Sequence, residues 1–420
     1  MARTFIALAT AALAAMVASR PAAPVRVVGH CLADERGPFL GLGVSYFTAL
    51  HRYRHDRSRL ESDLDFLARQ GFVYTRAFTM VGWHPGWEGL EIAPVTFTNR
   101  SGKRVEAWPD YWRALAGLVD LTYDRFRMRT QLTIFADAQL MPLKRDRIEH
   151  MRRLLSEVVA GREHKIILLE VANEAWQNGF PGDQGTADLR EFARYLGDRT
   201  DVPVAITSNH EGSFEALYRD SAADLATWHF SRDKSVEGGW GPVTDCRRLA
   251  SVPGCPPVSS NEPIGPGSSV ASETDPAKLV LAAAFAFASR LPMYVFHSEA
   301  GVFGRSRFED VPGVTSFRRL RRILPRDLPN WQVGDADDRD SPARAAGCVR
   351  LVWCRKGDRL VGVAVGIGPT GMTIHARSEL ALAVIDPVTG KTLRRLRMDE
   401  GAAAVVPRGP GGLIIMGTTR

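Results

Sequence analysis

At 420 residues, with 45% hydrophobic and 24% charged side chains, the chain can bury a large core, and the composition excludes a disordered or fibrous protein. The net charge of +7 is spread as arginines along several helix patterns, and no RNA- or DNA-binding motif accompanies it. The densest cluster, Arg318, Arg319, Arg321 and Arg322, shares an amphipathic segment with Leu320, Ile323 and Leu324 and reads as a solvated helix face.

The first twenty residues differ in kind. Arg3 supplies a positive end, Phe5 to Ala18 form an apolar run too short to span a bilayer, and small residues follow at Ala18-Ser19. The expectation is a signal peptide over 1–20, a secreted or periplasmic protein, and no stable membrane insertion. Five cysteines then permit disulfides. Cys246 and Cys255 bracket an irregular, Pro-containing segment and are the best candidate pair. Cys348 and Cys354 fall in one apolar strand pattern, about 20 Å apart if extended, and bridge only if the chain bends. His51 and His55 read as loop residues, and no Cys/His spacing suggests zinc.

Pro38 to Tyr46 reads as a first buried strand, and Asp56 to Gln70 as a helix closed by Gly71. Phe72 to Phe78 is a second strand with Arg76 embedded in it. A long aromatic connection follows, holding Trp83, Trp87 and Trp108. A helix carrying Leu115, Leu118 and Leu121 leads to a third strand, Gln131 to Phe135. Arg145 to Gly161 is the clearest helix, with Ile148, Met151, Leu155 and Val158 as its stripe. The fourth strand starts at Ile166, and its continuous apolar run predicts burial on both faces. A helix over Thr186 to Arg199 precedes strands at Val202 to Ile206, Leu225 to Phe230 and Pro257 to Asn261. An almost wholly apolar helix, Pro276 to Arg290, leads to Met293 to Phe296, and residues 315–324 give the last helix.

Eight strands alternating with helices predict a (β/α)₈ TIM barrel over 21–325. An open doubly wound sheet is the runner-up, but no Gly-x-Gly-x-x-Gly turn follows the first strand. Residues 326–345 turn to Asp, Arg, Pro and Gly and read as a linker. Short strands at Val349 to Trp353, Leu360 to Val365, Leu380 to Ile385 and Ile414 to Met416 then predict a small antiparallel β-sandwich over 346–420.

In such a barrel the C-terminal strand ends converge on one open face. Arg76 falls after strand two, Asn173-Glu174 after four, His229 on six, Glu262 after seven and Glu299 after eight. Two glutamates there can divide the work of glycoside hydrolysis, one as acid and one as nucleophile. Trp83, Trp87, Trp176 and Trp240 lie in or near connections where an indole could stack on a sugar or pack a loop.

On these residues the chain resembles the retaining glycoside hydrolases of clan A, which include the family 5 cellulases and mannanases, over roughly residues 38–325. The resemblance implies Glu174 as acid/base and Asn173 on the sugar 2-hydroxyl. Glu262 would be the nucleophile, Arg76 its hydrogen-bond partner, and His229 part of the subsite. It implies hydrolysis of β-glycosidic bonds in an oligo- or polysaccharide by double displacement, with no cofactor or metal. There are departures. Pro263 and Gly265 follow Glu262, and His297-Ser-Glu299-Ala-Gly301 stands where the family carries a tryptophan platform. Glu299 therefore competes for the nucleophile's role, Arg76 also reads as a structural ion-pair partner, and His229 as a core histidine. A catalytically inactive barrel serving as a secreted carbohydrate-binding protein is the alternative, with a lyase a third option.

Overall fold

The computed structural model describes residues 22–209, 212–267, 272–406, 409 and 411–419. The leader expected over 1–20 lies outside them. Eight parallel strands form the barrel: β1 (Gly41–Ser45), β2 (Tyr74–Phe78), β3 (Arg129–Phe135), β4 (Ile166–Asn173), β5 (Val204–Ser208), β6 (Ala226–Trp228), β7 (Val258–Ser260) and β8 (Met293–Phe296). Their order is β5-β4-β3-β2-β1-β8-β7-β6, and a parallel bridge between Asn209 and Trp228 joins the two outer strands. All eight residues of β4 are buried, as its apolar run predicts. The intervening helices follow the leucine stripes. Arg57–Arg69 starts where the Asp56 side chain accepts the Arg59 N–H, and the helix at Lys144–Arg153 runs on into a π-helical turn at Leu154–Val159.

The first expected strand is divided. Gly37–Phe39 belongs to a small antiparallel meander with Arg26–Val28 and Cys31–Asp34, and only after Leu40 does the chain enter β1. That meander sends Val25, Leu32 and Phe39 against Tyr74, Leu168, Met293 and Val295, closing the N-terminal mouth of the barrel. Gly43 makes room for this plug. A Cβ there would lie 2.1 Å from Cζ of Tyr74, so no larger residue fits while that ring fills the interior.

Beyond the barrel, nine strands form two antiparallel sheets: β9 (Gln332–Asp335), β10 (Ala343–Ala346), β11 (Arg350–Lys356), β12 (Arg359–Val365), β13 (Met372–Ala376), β14 (Leu380–Ile385), β15 (Thr392–Met398), β16 (Ala403–Val406) and β17 (Gly412–Thr419). The six-stranded sheet runs β9-β11-β12-β17-β14-β15 and the three-stranded one β10-β13-β16. In β11, Leu351 and Trp353 face the core between the sheets, whereas Val352 and Cys354 face the barrel. The helix Pro276–Ala288 is buried between that second face and the barrel, which accounts for its lack of a polar side. The stretch expected as a linker, 326–345, instead supplies β9 and most of β10. Edge strands only four residues long, on either side of the polar stretch 336–342, carry a weak alternation signal, which is why composition points to a linker.

The expected Cys246–Cys255 disulfide is absent. Both are free thiols, with Cys246 packed inward and donating to the Val243 carbonyl at 3.4 Å. Cys348 lies in the bend before β11, not in a strand, and it packs with the sandwich core while Cys354 packs with the barrel. Among the described residues, no helix is long and apolar enough to cross a membrane. In the arginine cluster, Arg319 and Arg321 donate to the Val388 and Gly71 carbonyls, while Arg318 and Arg322 are exposed.

Candidate active site

Alternation along β2 turns Tyr74, Arg76 and Phe78 to the barrel interior, one above another. Arg76 is wholly buried. Its Nε donates to Glu170 Oε2 at 3.0 Å and its Nη1 to Glu262 Oε1 at 2.7 Å. Its Nη2 donates to Asn173 Oδ1 at 2.7 Å and to the Ser208 hydroxyl at 3.0 Å. The rings of Phe47 and Phe78 lie 5.1 and 5.2 Å from the guanidinium carbon. Glu170, also fully buried, accepts three further bonds, from Thr133 at 2.6 Å, Asn261 at 2.7 Å and Gln131 at 3.2 Å. One guanidinium thus ties β2 to β4, β5 and the end of β7, and a second carboxylate holds that guanidinium in place.

Glu262 follows β7 and is almost entirely buried. Arg232 Nη2 stands 3.8 Å from its Oε2, His297 Nε2 3.9 Å from the same oxygen, and His229 Nε2 3.4 Å from Oε1. Burial alone would raise this carboxyl. His229, His297, Arg76 and Arg232 outweigh it and hold the group well below the usual carboxylate range. Burial pulls His297 down to about 4, against the raising effect of Glu262, so at neutral pH it is an uncharged ring. Its Nδ1 pairs with the Ser45 hydroxyl at 2.9 Å.

Glu174 sits just past β4 with φ at 40°, a left-handed conformation that costs a non-glycine residue energy and persists only where neighbours enforce it. The enforcement is visible. The Glu174 N–H donates to Ser208 O, the Ala175 N–H to Asn209 Oδ1, and the Asn178 amide to Asn173 O. The turn swings the carboxylate over the barrel mouth, where Gln177 donates to Oε2 and His229 Nδ1 lies 3.3 Å from Oε1. His229 therefore stands between the two glutamates, one ring nitrogen toward each.

These residues open into a cleft of ≈ 240 Å³ whose lining includes Asn173, Glu174, Gln177, Glu262, His297, Asp137, His84, Trp87 and Phe303. Burial raises the Asp137 carboxyl, and its Oδ2 accepts the N–H groups of Gly82 and Trp83, fixing the loop after β2.

Of the residues singled out from sequence, Arg76, Asn173, Glu174, His229 and Glu262 meet in one cluster. Trp83 packs against the core and meets the site through its backbone, whereas Trp87 lines the cleft. Trp176 is 41% exposed, two residues past Glu174. Trp240 packs beside Gly366 and Gly411 of the β-domain. Glu299 begins the short helix Glu299–Val302, accepts from the Ser306 hydroxyl and lies outside the cleft lining. Sequence reasoning missed Glu170, Ser208, Asn209, Arg232 and His297. A lone acid inside an otherwise apolar strand was the available signal for Glu170.

One ligand atom from each of Glu174, His229 and Glu262 lies within 4.8 Å of the others, a spacing that could hold a metal ion. The donor set argues against that use. Glu262 already accepts from Arg76, and the imidazole between the acids turns a different nitrogen to each. One imidazole thus lies between the two carboxylates, at 3.3 Å from Glu174 Oε1 and 3.4 Å from Glu262 Oε1.

No protein-family model matches this sequence, and no curated protein matches it either. Solved structures match in fold. A glycoside hydrolase superimposes with a TM-score of 0.71 at 13% identity, over 94% of this chain and 97% of that one. A family 5 glycoside hydrolase from Bacteroides vulgatus ATCC 8482 gives 0.70 at 12% identity, over 94% and 92%. An α-amylase from Geobacillus thermoleovorans gives 0.57 at 11%, over 91% and 98%. At these identities the likeness is one of fold, and it spans the barrel and the β-sandwich together: the chain has a (β/α)₈ barrel with a C-terminal β-domain, an architecture it shares with these glycoside hydrolases.

Proposed function

We propose that the protein is a retaining β-glycoside hydrolase, with Glu262 as nucleophile and Glu174 as acid/base, acting on an oligo- or polysaccharide. The observation that carries this reading is the pairing of the two carboxylates across His229, with oxygens within 4.8 Å. One oxygen of each acid standing this close suits the carboxylate separation of about 5–5.5 Å used for double displacement. Their surroundings divide the labour. Glu262 is buried among cations and stays ionised; Glu174 stands at the cleft, where a leaving group can reach it.

Glu262 attacks the anomeric carbon while Glu174 passes its proton to the departing glycosidic oxygen. A glycosyl ester on Glu262 results. Glu174, now a carboxylate, takes a proton from water as that water attacks the same carbon and frees Glu262. Arg76 keeps the nucleophile charged and aligned. Asn173 spends its Oδ1 on Arg76 and Ser208, which leaves its NH₂ to donate to a sugar hydroxyl. Work outside the cytoplasm is part of the same proposal, resting on the apolar run Phe5 to Ala18.

A 2-deoxy-2-fluoro aryl β-glycoside tests the assignment, because it slows the second step and lets the ester accumulate. Peptide mass spectrometry should find the sugar on Glu262. First-turnover NMR showing an α-anomeric product from a β-glycoside would overturn the reading.

A further inference from the structure

We propose that the cleft is a single-ring pocket, so that the enzyme works from the non-reducing end and releases one sugar at a time. The proposal rests on the glycosidase reading above and adds the mode of attack. Around the barrel, the short way from Glu174 on β4 to Glu262 on β7 passes β5 and β6; the long way passes β3, β2, β1 and β8. The cleft lies on the long side. Its walls come from Phe47 after β1, Phe78 and Trp87 from β2 and its loop, Asp137 after β3 and Phe303 after β8.

The ring that carries the reacting carbon belongs on this side. Asn173 lines it with an amide positioned for the hydroxyl next to that carbon. His297 lines it with an Nε2 that is buried and has no hydrogen-bond partner among the described residues. Such a buried polar atom costs free energy unless a ligand hydroxyl meets it. The leaving group, protonated by Glu174, then departs over β5 and β6.

Aromatic rings narrow the far end of the pocket. The Trp87 ring lies 5.4 Å from that of Phe303 and 6.3 Å from that of Phe78, centroid to centroid. Because β1 lies between β2 and β8, the Trp87–Phe303 contact joins two loops over the end of β1 and walls off the rim. At ≈ 240 Å³ the pocket falls below the roughly 300 Å³ at which sites for larger ligands begin. An aromatic wall suits the C–H face of a pyranose, yet it leaves no path for a second glycone ring.

The experiment compares 4-nitrophenyl β-glycosides of single sugars (glucose, mannose, galactose, xylose) with the same aglycone on β-1,4-linked disaccharides. A borohydride-reduced hexasaccharide of the best sugar completes the set. The single-sugar substrate should release nitrophenol at least about tenfold faster than the disaccharide one, and the first products from the hexasaccharide should be monosaccharide and pentasaccharide. Trp87→Ala should shift the ratio toward the disaccharide substrate by about tenfold. Preference of the wild-type protein for the disaccharide glycone, with internal cleavage of the hexasaccharide, overturns the pocket and leaves the glycosidase standing. No hydrolysis of any substrate, with no fluoro-sugar on Glu262, overturns both.

Discussion

The two ends of the barrel interior are built from the same strands and filled with opposite chemistry. β2 places Tyr74 low and Arg76 high; β4 places Leu168 low and Glu170 high; β8 follows Met293 and Val295 with His297, just past its end. The lower residues form an apolar cluster closed by the N-terminal meander. The upper ones form a buried ion network whose guanidinium serves two carboxylates. A network of this kind is a poor source of stability, because desolvating its charges costs about what their attraction returns. Packing of the lower kind stabilises strongly, at about 2–5 kcal/mol for each large side chain truncated. The lower layer therefore carries the upper one, and on the proposed reading the upper layer is where the chemistry takes place.

The largest effect expected from breaking this arrangement is chemical. Glu262→Ala should reduce turnover by at least about 10⁴-fold on every substrate, since no nucleophile remains. Glu174→Ala should spare an aryl glycoside with a good leaving group in the first step and slow the second. Added azide, which needs no general base, should then restore rate and yield a β-glycosyl azide detectable by NMR. Azide restoring Glu262→Ala with a β-product would reverse the two roles.

Next come paired substitutions in the two layers. Arg76→Met takes the guanidinium from Glu170, which keeps only neutral donors of those named, and from Glu262, which keeps Arg232 at 3.8 Å; it should cost about 3–5 kcal/mol in urea unfolding, with activity lost as well. Glu170→Gln keeps the shape and the Asn261 contact but weakens the hold on Arg76. It should lower kcat, because Arg76 is then held less firmly, while the acid limb of the pH–rate profile should not rise, since a negative charge sharing the guanidinium with Glu262 is removed. Leu168→Ala should also cost about 2–5 kcal/mol, yet leave kcat per folded molecule within about twofold. Equal loss of kcat in Leu168→Ala would mean that the layers are not separable.

This contrast also explains what the sequence made legible. The barrel was readable because each strand is a short apolar run between helices with clear stripes. Asn173, Glu174 and Glu262 were readable because polar groups appear where such runs end, and Arg76 because an arginine interrupts one. Glu170 was hidden inside its run, and its role depends on Thr133, Asn261 and Arg76 arriving from three other strands. His297 and Arg232 carry no local pattern that points at Glu262. In the β-domain, β15 reads Thr392-Leu-Arg-Arg-Leu-Arg-Met398, an exposed edge whose arginines mask its strand character.

Acid should weaken the fold in a defined window. Burial lowers His297 to about 4 and His150 to about 3, so both stay neutral in the native state while the unfolded chain protonates near 6.5. Stability is therefore fully present above pH 6.5 and falls as pH drops toward 4 for His297 and toward 3 for His150. Glu262, depressed in the native state, adds loss in the same direction below its ordinary value of 4.5. His150 lies among Tyr111, Trp112 and Phe135, away from the cleft lining. His150→Phe should bring the unfolding free energy at pH 4, from urea midpoints, closer to that at pH 7 by on the order of 2–3 kcal/mol, with kcat unchanged. An unaltered gap between the two midpoints would show that His150 is protonated in the native state.

The smallest effect separates the two acids at neighbouring strand ends. Glu262 and Glu299 both follow a barrel strand, and by sequence position either could be the nucleophile. Their surroundings differ. Glu262 faces a guanidinium at 2.7 Å and lines the cleft with Glu174; Glu299 accepts from Ser306 and sits against Gly267, where a Cβ would lie 2.7 Å from its Cγ. Its second oxygen is buried with no hydrogen-bond partner among the described residues, a poor setting for a group that must carry charge through a reaction. Glu299→Gln removes that charge with little change of shape. It should leave kcat within about twofold and raise KM no more than a few-fold, with stability unchanged or slightly improved. A dead Glu299→Gln beside an active Glu262→Ala would move the nucleophile to the end of β8, and the ion network around Arg76 would then be structural.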